Sequence, residues 1–196
     1  MTFDWINPYP TIRLPVFARN VVATSQPLAS QAGLTMLAEG GSAVDAILAT
    51  AITLTLVEPV SNGIGSDAYA IVWDGKQLHG LNASGRSPYA ASIDYFRQQH
   101  LDFIPTFGPL SWSVPGCVDG WLELHAKFGR LPLRTLLAPA IRYARDGFPL
   151  SEVIAEDWAG SARSLEKYPN FRETFMPDGH APRHGDAAAG QRHVGQ

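Results

Sequence analysis

The chain has 196 residues, 45% of them hydrophobic and 17% charged, with a formal net charge of -3 and one cysteine. That length suits one domain, which would bury roughly 70% of its unfolded surface, and the charge content is too low for a charge-driven disordered chain. The mild acidity argues against a basic nucleic-acid or anionic-membrane surface, and the lone Cys117 excludes an internal disulfide and a cysteine-based zinc cage.

Met1 to Pro8 has neither a basic n-region nor an apolar h-region, so the sequence predicts no secretory signal and a cytoplasmic location. Residues 1–20 are proline-rich and read as an irregular N-terminal arm. Val21-Val22-Ala23 is a short strand candidate. Pro27 to Glu39 carries apolar residues at helical spacing and stops at Gly40-Gly41, a C-cap signature. Ser42 opens a second helix, and Asp45 three residues on completes a capping box. This helix runs to about Glu58. Its apolar stretch, Ala46 to Val57, is shorter than the ~20 residues a membrane span needs and hydrophobic all round, so it reads as a central buried helix. Thr50, Thr53 and Thr55 can bond back to carbonyls one turn earlier, which makes their burial tolerable.

A glycine-containing loop, Ser61 to Ser66, follows. Residues 68–73 and 76–82 read as strands, joined by an Asp74-Gly75 hairpin turn because both residue types tolerate positive φ. Residues 117–128 read as a helix ended by Gly129. Leu133 to Asp146 reads as another, kinked or split by Pro139 and capped by Gly147. Ser151 to Tyr168 is the last, and the pattern thins after Pro169. Helices before and after a hairpin, with no internal repeat, indicate layered α+β rather than a regular βαβ series.

Few segments carry chemistry on their own. Gly63-Ile-Gly65-Ser-Asp-Ala68 matches the dinucleotide pattern in letters, but that fingerprint needs a strand before it and a helix after it. Here a helix precedes and a strand follows, so a tight turn is the better reading. His180, His184 and Asp186 could share a metal on a helix, but Pro182 and the flanking glycines make the segment a loop, and no metal site is predicted. Cys117 stands at a helix start, where a thiol can be activated; a small buried cysteine is the better reading. Arg86, in Ser84-Gly85-Arg86-Ser87-Pro88 just after a strand, could grip a substrate carboxylate with its fork of donors. The alternative is a structural arginine bonding loop carbonyls. No catalytic nucleophile is visible, and no cofactor is predicted.

Several segments taken together resemble the γ-glutamyltranspeptidase family. Val22-Ala-Thr-Ser-Gln-Pro-Leu-Ala-Ser-Gln-Ala-Gly-Leu34 and Met36-Leu-Ala-Glu-Gly-Gly-Ser-Ala-Val-Asp-Ala46 resemble its opening signature. Val57-Glu-Pro-Val-Ser-Asn-Gly-Ile-Gly65 resembles its glycine loop. Val114-Pro-Gly116 with Gly120, and Phe128-Gly-Arg-Leu-Pro-Leu133 through Ala138 to Phe148, resemble its next two blocks. The likeness covers about residues 21–186 in the family's order, as the N-terminal part of the large subunit. It implies an N-terminal-nucleophile hydrolase fold with αββα layers, incomplete in this chain. It also implies a precursor that cuts itself, so that the new N-terminal threonine of the second piece attacks with its own α-amine as base. A γ-glutamyl group, as in glutathione, then passes to water or to an amino acid.

Three departures qualify the resemblance. No segment resembles the Thr-Thr-His or Thr-Ser-His cleavage site, so the catalytic residues are expected on a separate C-terminal segment and this chain alone is expected to be inactive. The family's carboxylate-binding arginine sits in an Arg-Glu-x-Ala-Pro run; alignment on Pro88 puts Ser84 there and Arg86 two residues later. The family's glycine run is here Ser66-Asp67-Ala68, and an acid at that point resembles the cephalosporin-acylase-like branch, with acyl groups such as glutaryl. After Asp186 the family would continue with an apolar helix; residues 187–196 are instead rich in Ala, Gly and Gln and form a divergent tail. A second reading is a non-catalytic truncated remnant, or a fragment that binds only with a partner.

Overall fold

A computed structural model describes residues 15–176 and 178–188. The predicted arm thus lies outside the described residues as far as residue 14, and the predicted tail from residue 189 onward. Residues 15–20 form neither helix nor strand. Val21 to Ala23 does not form the expected strand either: it has no ladder partner among the described residues, and β-branched character alone does not make a strand without one.

Two helices come first. α1 spans Pro27–Ala38, and its N-cap is Gln26, whose side-chain oxygen accepts from the Leu28 and Ala29 amides at 2.5 and 3.3 Å. α2 spans Ala43–Val57. Its capping box forms as the spacing predicts: Asp45 N–H donates to Ser42 Oγ at 3.1 Å, and Ser42 N–H donates to Asp45 Oδ2 at 2.7 Å. Thr50, Thr53 and Thr55 donate back to the carbonyls of Ala46, Ala49 and Ile52 at 2.7–2.8 Å. Leu48, Ile52 and Val57 are buried, while Ile47, at 49% exposure, faces outward.

β1 (Ala68–Trp73) and β2 (Leu78–Ala83) form an antiparallel hairpin, with Ala68 opposite Ala83 at its base and Trp73 opposite Leu78 near its tip. The turn differs from the expected one. Only Gly75 takes positive φ (95°). Asp74 serves through its side chain, which accepts from the Lys76 and Gln77 amides at 2.8 and 2.7 Å. A carboxylate that satisfies turn donors needs no left-handed backbone of its own.

Beyond the hairpin lie α3 (Ile93–Gln98), a short 3-10 turn at Pro109–Ser111, α4 (Cys117–Phe128) and α5 (Leu133–Asp146). Then come β3 (Phe148–Pro149), α6 (Glu152–Leu165), α7 (Phe171–Phe175) and β4 (Ala187–Ala188), which pairs with β3. α5 is assigned as one helix across Pro139, rather than split there. Pro139 is buried on the α5 face that carries Leu136 and Ala140, so packing offsets the lost amide bond.

α2 is the pivot, packed against α1, α4 and α5. One core cluster joins Met36, Val44, Ala46, Leu48, Ala49, Leu124 and Leu136, and Ala70, Val72 and Leu81 of the hairpin pack against it. A second joins Ala29 and Val57 to Phe148, Leu150, Ile154 and Ala155. The hairpin therefore buries one face on the helices. Its other face shows Tyr69, Ile71, Trp73 and Leu78, exposed by 65, 79, 63 and 61%. Among the described residues no helix is long and apolar enough to cross a membrane.

Candidate functional site

Three loops meet where the hairpin's base reaches α4. The first is the glycine loop between α2 and β1. The Gly116 and Cys117 amides at the start of α4 both donate to the Ser66 carbonyl, at 3.3 and 3.1 Å. Cys117 is buried, and its thiol lies 3.1 Å from the Ile64 carbonyl. That agrees with the packing role read from sequence. The second loop leaves β2: the Val114 amide donates to the Arg86 carbonyl at 2.8 Å. Gly85 has φ 73°, and a Cβ on it would fall 1.7 Å from the Val114 carbonyl oxygen, so only glycine fits at this crossing. The third loop is residues 111–116 itself.

Between the first and third loops lies a cleft of about 540 Å³, lined by Gly65, Ser66, Asp67, Ser111, Trp112, Ser113 and Pro115. Asp67 and Trp112 are exposed along it. The cleft thus offers a carboxylate, an indole face and hydroxyl groups.

Arg86 borders this region through its backbone but is not one of the cleft's lining residues. Its guanidinium lies over the Tyr89 ring, 4.0 Å from the centroid, and donates to the Tyr89 hydroxyl. It is exposed and has no ionic partner among the described residues. Among the described residues its side chain contacts Tyr89 and bonds no loop carbonyl. A stacked guanidinium keeps its outer donors available for an anion.

Helix before and strand after the Gly63 to Ala68 segment are as expected, and neither supplies the helix N-terminus that a dinucleotide needs. His180 bonds its neighbour's carbonyl at 2.9 Å, and no group of three potential metal ligands occurs among the described residues. Sequence reasoning missed Ser111, Trp112 and Ser113. They precede the Val114-Pro-Gly116 block, and that adjacency was the one signal available.

The mixed helices and small sheets, with one hairpin face covered by helices and the other bare, define part of an α+β fold of the N-terminal-nucleophile hydrolase type. The chain belongs to the γ-glutamyltranspeptidase family: the profile of the family described as Gamma-glutamyltranspeptidase matches residues 29–194. It is 33% identical to the glutathione hydrolase proenzyme of Bacillus subtilis (strain 168), over 85% of this chain and 29% of that protein. It is 38% identical to the oxamate amidohydrolase proenzyme of Klebsiella pneumoniae, over 81% of this chain and 31% of that protein. Among solved structures, cephalosporin acylase from Bacillus halodurans superposes with a TM-score of 0.88 at 43% identity, covering 96% of this chain and 37% of that one. Helicobacter pylori γ-glutamyltranspeptidase superposes with a TM-score of 0.82 at 27% identity, over 90% of this chain and 52% of that one. The chain therefore spans about a third of the length of the curated relatives it matches.

Proposed function

We propose that this chain is the N-terminal portion of a γ-glutamyltransferase-like acyl-transfer enzyme, which acts together with a nucleophile-bearing C-terminal part. The observation that carries the reading is the junction of the three loops. The Ser66 carbonyl held by the start of α4, and the Arg86 carbonyl held by Val114, gather the glycine loop, the cleft and the arginine into one region. In this reading the exposed apolar face of the hairpin receives the C-terminal segment, whose threonine attacks the acyl carbon with its own α-amine as base. Arg86 binds a carboxylate of the acyl donor from its perch on Tyr89. Two relatives support an anionic amide substrate: by their names they act on glutathione and on oxamate, and both molecules carry carboxylates. The alternative, a non-catalytic remnant, has the same fold and differs only in lacking that partner.

The test is reconstitution. The chain alone should release no chromophoric amine from a γ-glutamyl or glutaryl anilide above buffer. Co-expression with a nucleophile-bearing family segment should restore release, and Arg86→Ala in that complex should raise KM more than it lowers kcat. Turnover by the chain alone would refute the reading. A well-formed complex without turnover would favour the remnant.

A further inference from the structure

The hairpin is tied to α4 at both ends, and the two ties differ in chemistry. At the base, the Gly116 and Cys117 amides hold Ser66 just before β1. At the tip, His79 of β2 bridges two charges. Its Nε2 lies 2.8 Å from Asp74 Oδ2, and Lys127 Nζ of α4 lies 3.2 Å from its Nδ1. The two elements are matched in length: twelve residues of helix rise about 18 Å, and six residues of strand about 20 Å. Gly120 lets them lie close, since a Cβ there would come within 2.5 Å of the Ala83 Cβ. The imidazole also packs beside the Phe128 ring, with centroids 5.1 Å apart.

The partners fix the tautomer. A carboxylate only accepts, so Nε2 carries the proton it donates to Asp74. An ammonium only donates, so Nδ1 must be bare to accept from Lys127. His79 thus joins Asp74 and Lys127 only while it is neutral. Asp74 and Lys127 are the charged groups that face it from the turn and from α4; Phe128 is its neutral neighbour. Bonds from His79 and from the Gln77 and Lys76 amides hold the Asp74 carboxyl down at about 2, so Asp74 stays ionised across the range where histidines titrate.

We propose that the tip tie is a pH-sensitive clasp: a second proton on His79 breaks its bond to Lys127 and loosens the hairpin from α4, while the base tie stays closed. Protonation puts a proton on Nδ1 where Lys127 donated, and sets two cations face to face. The base tie uses only backbone groups and does not titrate. The clasp lets acidification free the end of the hairpin remote from the candidate site without opening the glycine loop. It stands independently of any catalytic reading, because every group in it is in this chain.

The test compares hydrogen exchange of residues 72–80 in the full chain, its K127M variant, H79Q and the double variant, at pH 8 and pH 5, corrected for intrinsic exchange. The amide side chain introduced by H79Q can donate to Asp74 and accept from Lys127 at both pH values. With His79 present, K127M should cost about two- to tenfold in protection at pH 8, the net range of an intramolecular hydrogen bond, and nothing, or even a gain, at pH 5. In the H79Q background the cost of K127M should be the same at both pH values. A Lys127 contribution that is equal at pH 8 and pH 5 with His79 present, or absent at pH 8, would overturn the clasp. So would ring ¹⁵N shifts that put the His79 proton on Nδ1 at pH 8.

Discussion

Asp45 is fully buried and has no ionic partner among the described residues, so replacing it is the sharpest test of how this fold is held. Its carboxylate takes its charge compensation from amides. Oδ2 accepts from Ser42 N–H at 2.7 Å, from Arg130 N–H at 3.0 Å and from Leu131 N–H at 3.3 Å; Oδ1 accepts from Arg130 N–H at 3.1 Å. One side chain thus caps α2 and fastens the α4–α5 connection to it. Asp45→Ala takes away the partner of three amide donors, in hydrogen bonds that are part-buried. Losing a cap alone costs about 1 kcal/mol, and a donor left unsatisfied adds up to about 1–3 kcal/mol, less where water reaches it. We expect about 2–4 kcal/mol, because the part-buried amides regain some of the loss from water. Asp45→Asn should cost less, about 1–2 kcal/mol, because its one carbonyl oxygen can take the place of Oδ2 and keep Ser42, Arg130 and Leu131, while its NH₂, in the place of Oδ1, faces only the Arg130 amide. Urea unfolding followed by circular dichroism measures both, with exposed Asp157→Ala as a control expected within about 0.5 kcal/mol of wild type. An Ala variant within about 1 kcal/mol of wild type, or Asn as damaging as Ala, would refute the assignment of the staple to this carboxylate.

Leu48→Ala, at a position 1% exposed in the α2 core, should cost about 2–5 kcal/mol in the same unfolding assay; a loss below about 0.5 kcal/mol would mean a surface site. Gly85→Ala should shift the amide resonances of Val114 and Gly116, because its Cβ has no room beside the Val114 carbonyl. The Asp74 carboxyl should titrate near 2 by carbon NMR; its folded value lies below the unfolded one near 4, so its contribution is complete above pH 4 and is lost as pH falls toward 2. Ile71→Lys on the bare hairpin face should reduce self-association of the isolated chain in light scattering, because exposed apolar faces recruit other chains. A monodisperse wild-type monomer would contradict that expectation.

The helices and the hairpin were legible because their signals are local. Ser42 and Asp45 announce α2 within one turn, Gly129 and Gly147 end α4 and α5, and the threonines of α2 bond within their own helix as their spacing requires. The errors are equally physical. Val21 to Ala23 has strand composition and no neighbour to pair with among the described residues, and the two-residue β3 and β4 exist only because residues far apart in sequence meet. α3 and α7, of six and five residues, are too short to carry a helical period.

The candidate site lies at the far end of the same scale. Gly63, Gly65, Arg86 and the Val114 to Gly116 block stand out in the sequence because glycine, proline and an arginine after a strand are unusual company. Nothing in their spacing says that the Ser66 carbonyl meets the start of α4 or that Arg86 leans on Tyr89. Those contacts follow from packing. The hairpin lies along α4 because Gly120 has no side chain, and once it lies there its two ends must fall at the two ends of the helix. The loop before β1 is then delivered to the N-terminal amides of α4, and the loop after β2 to Val114. A substitution at Gly120, far from Asp67 in sequence and not among the cleft's lining residues, is therefore expected to disturb the cleft.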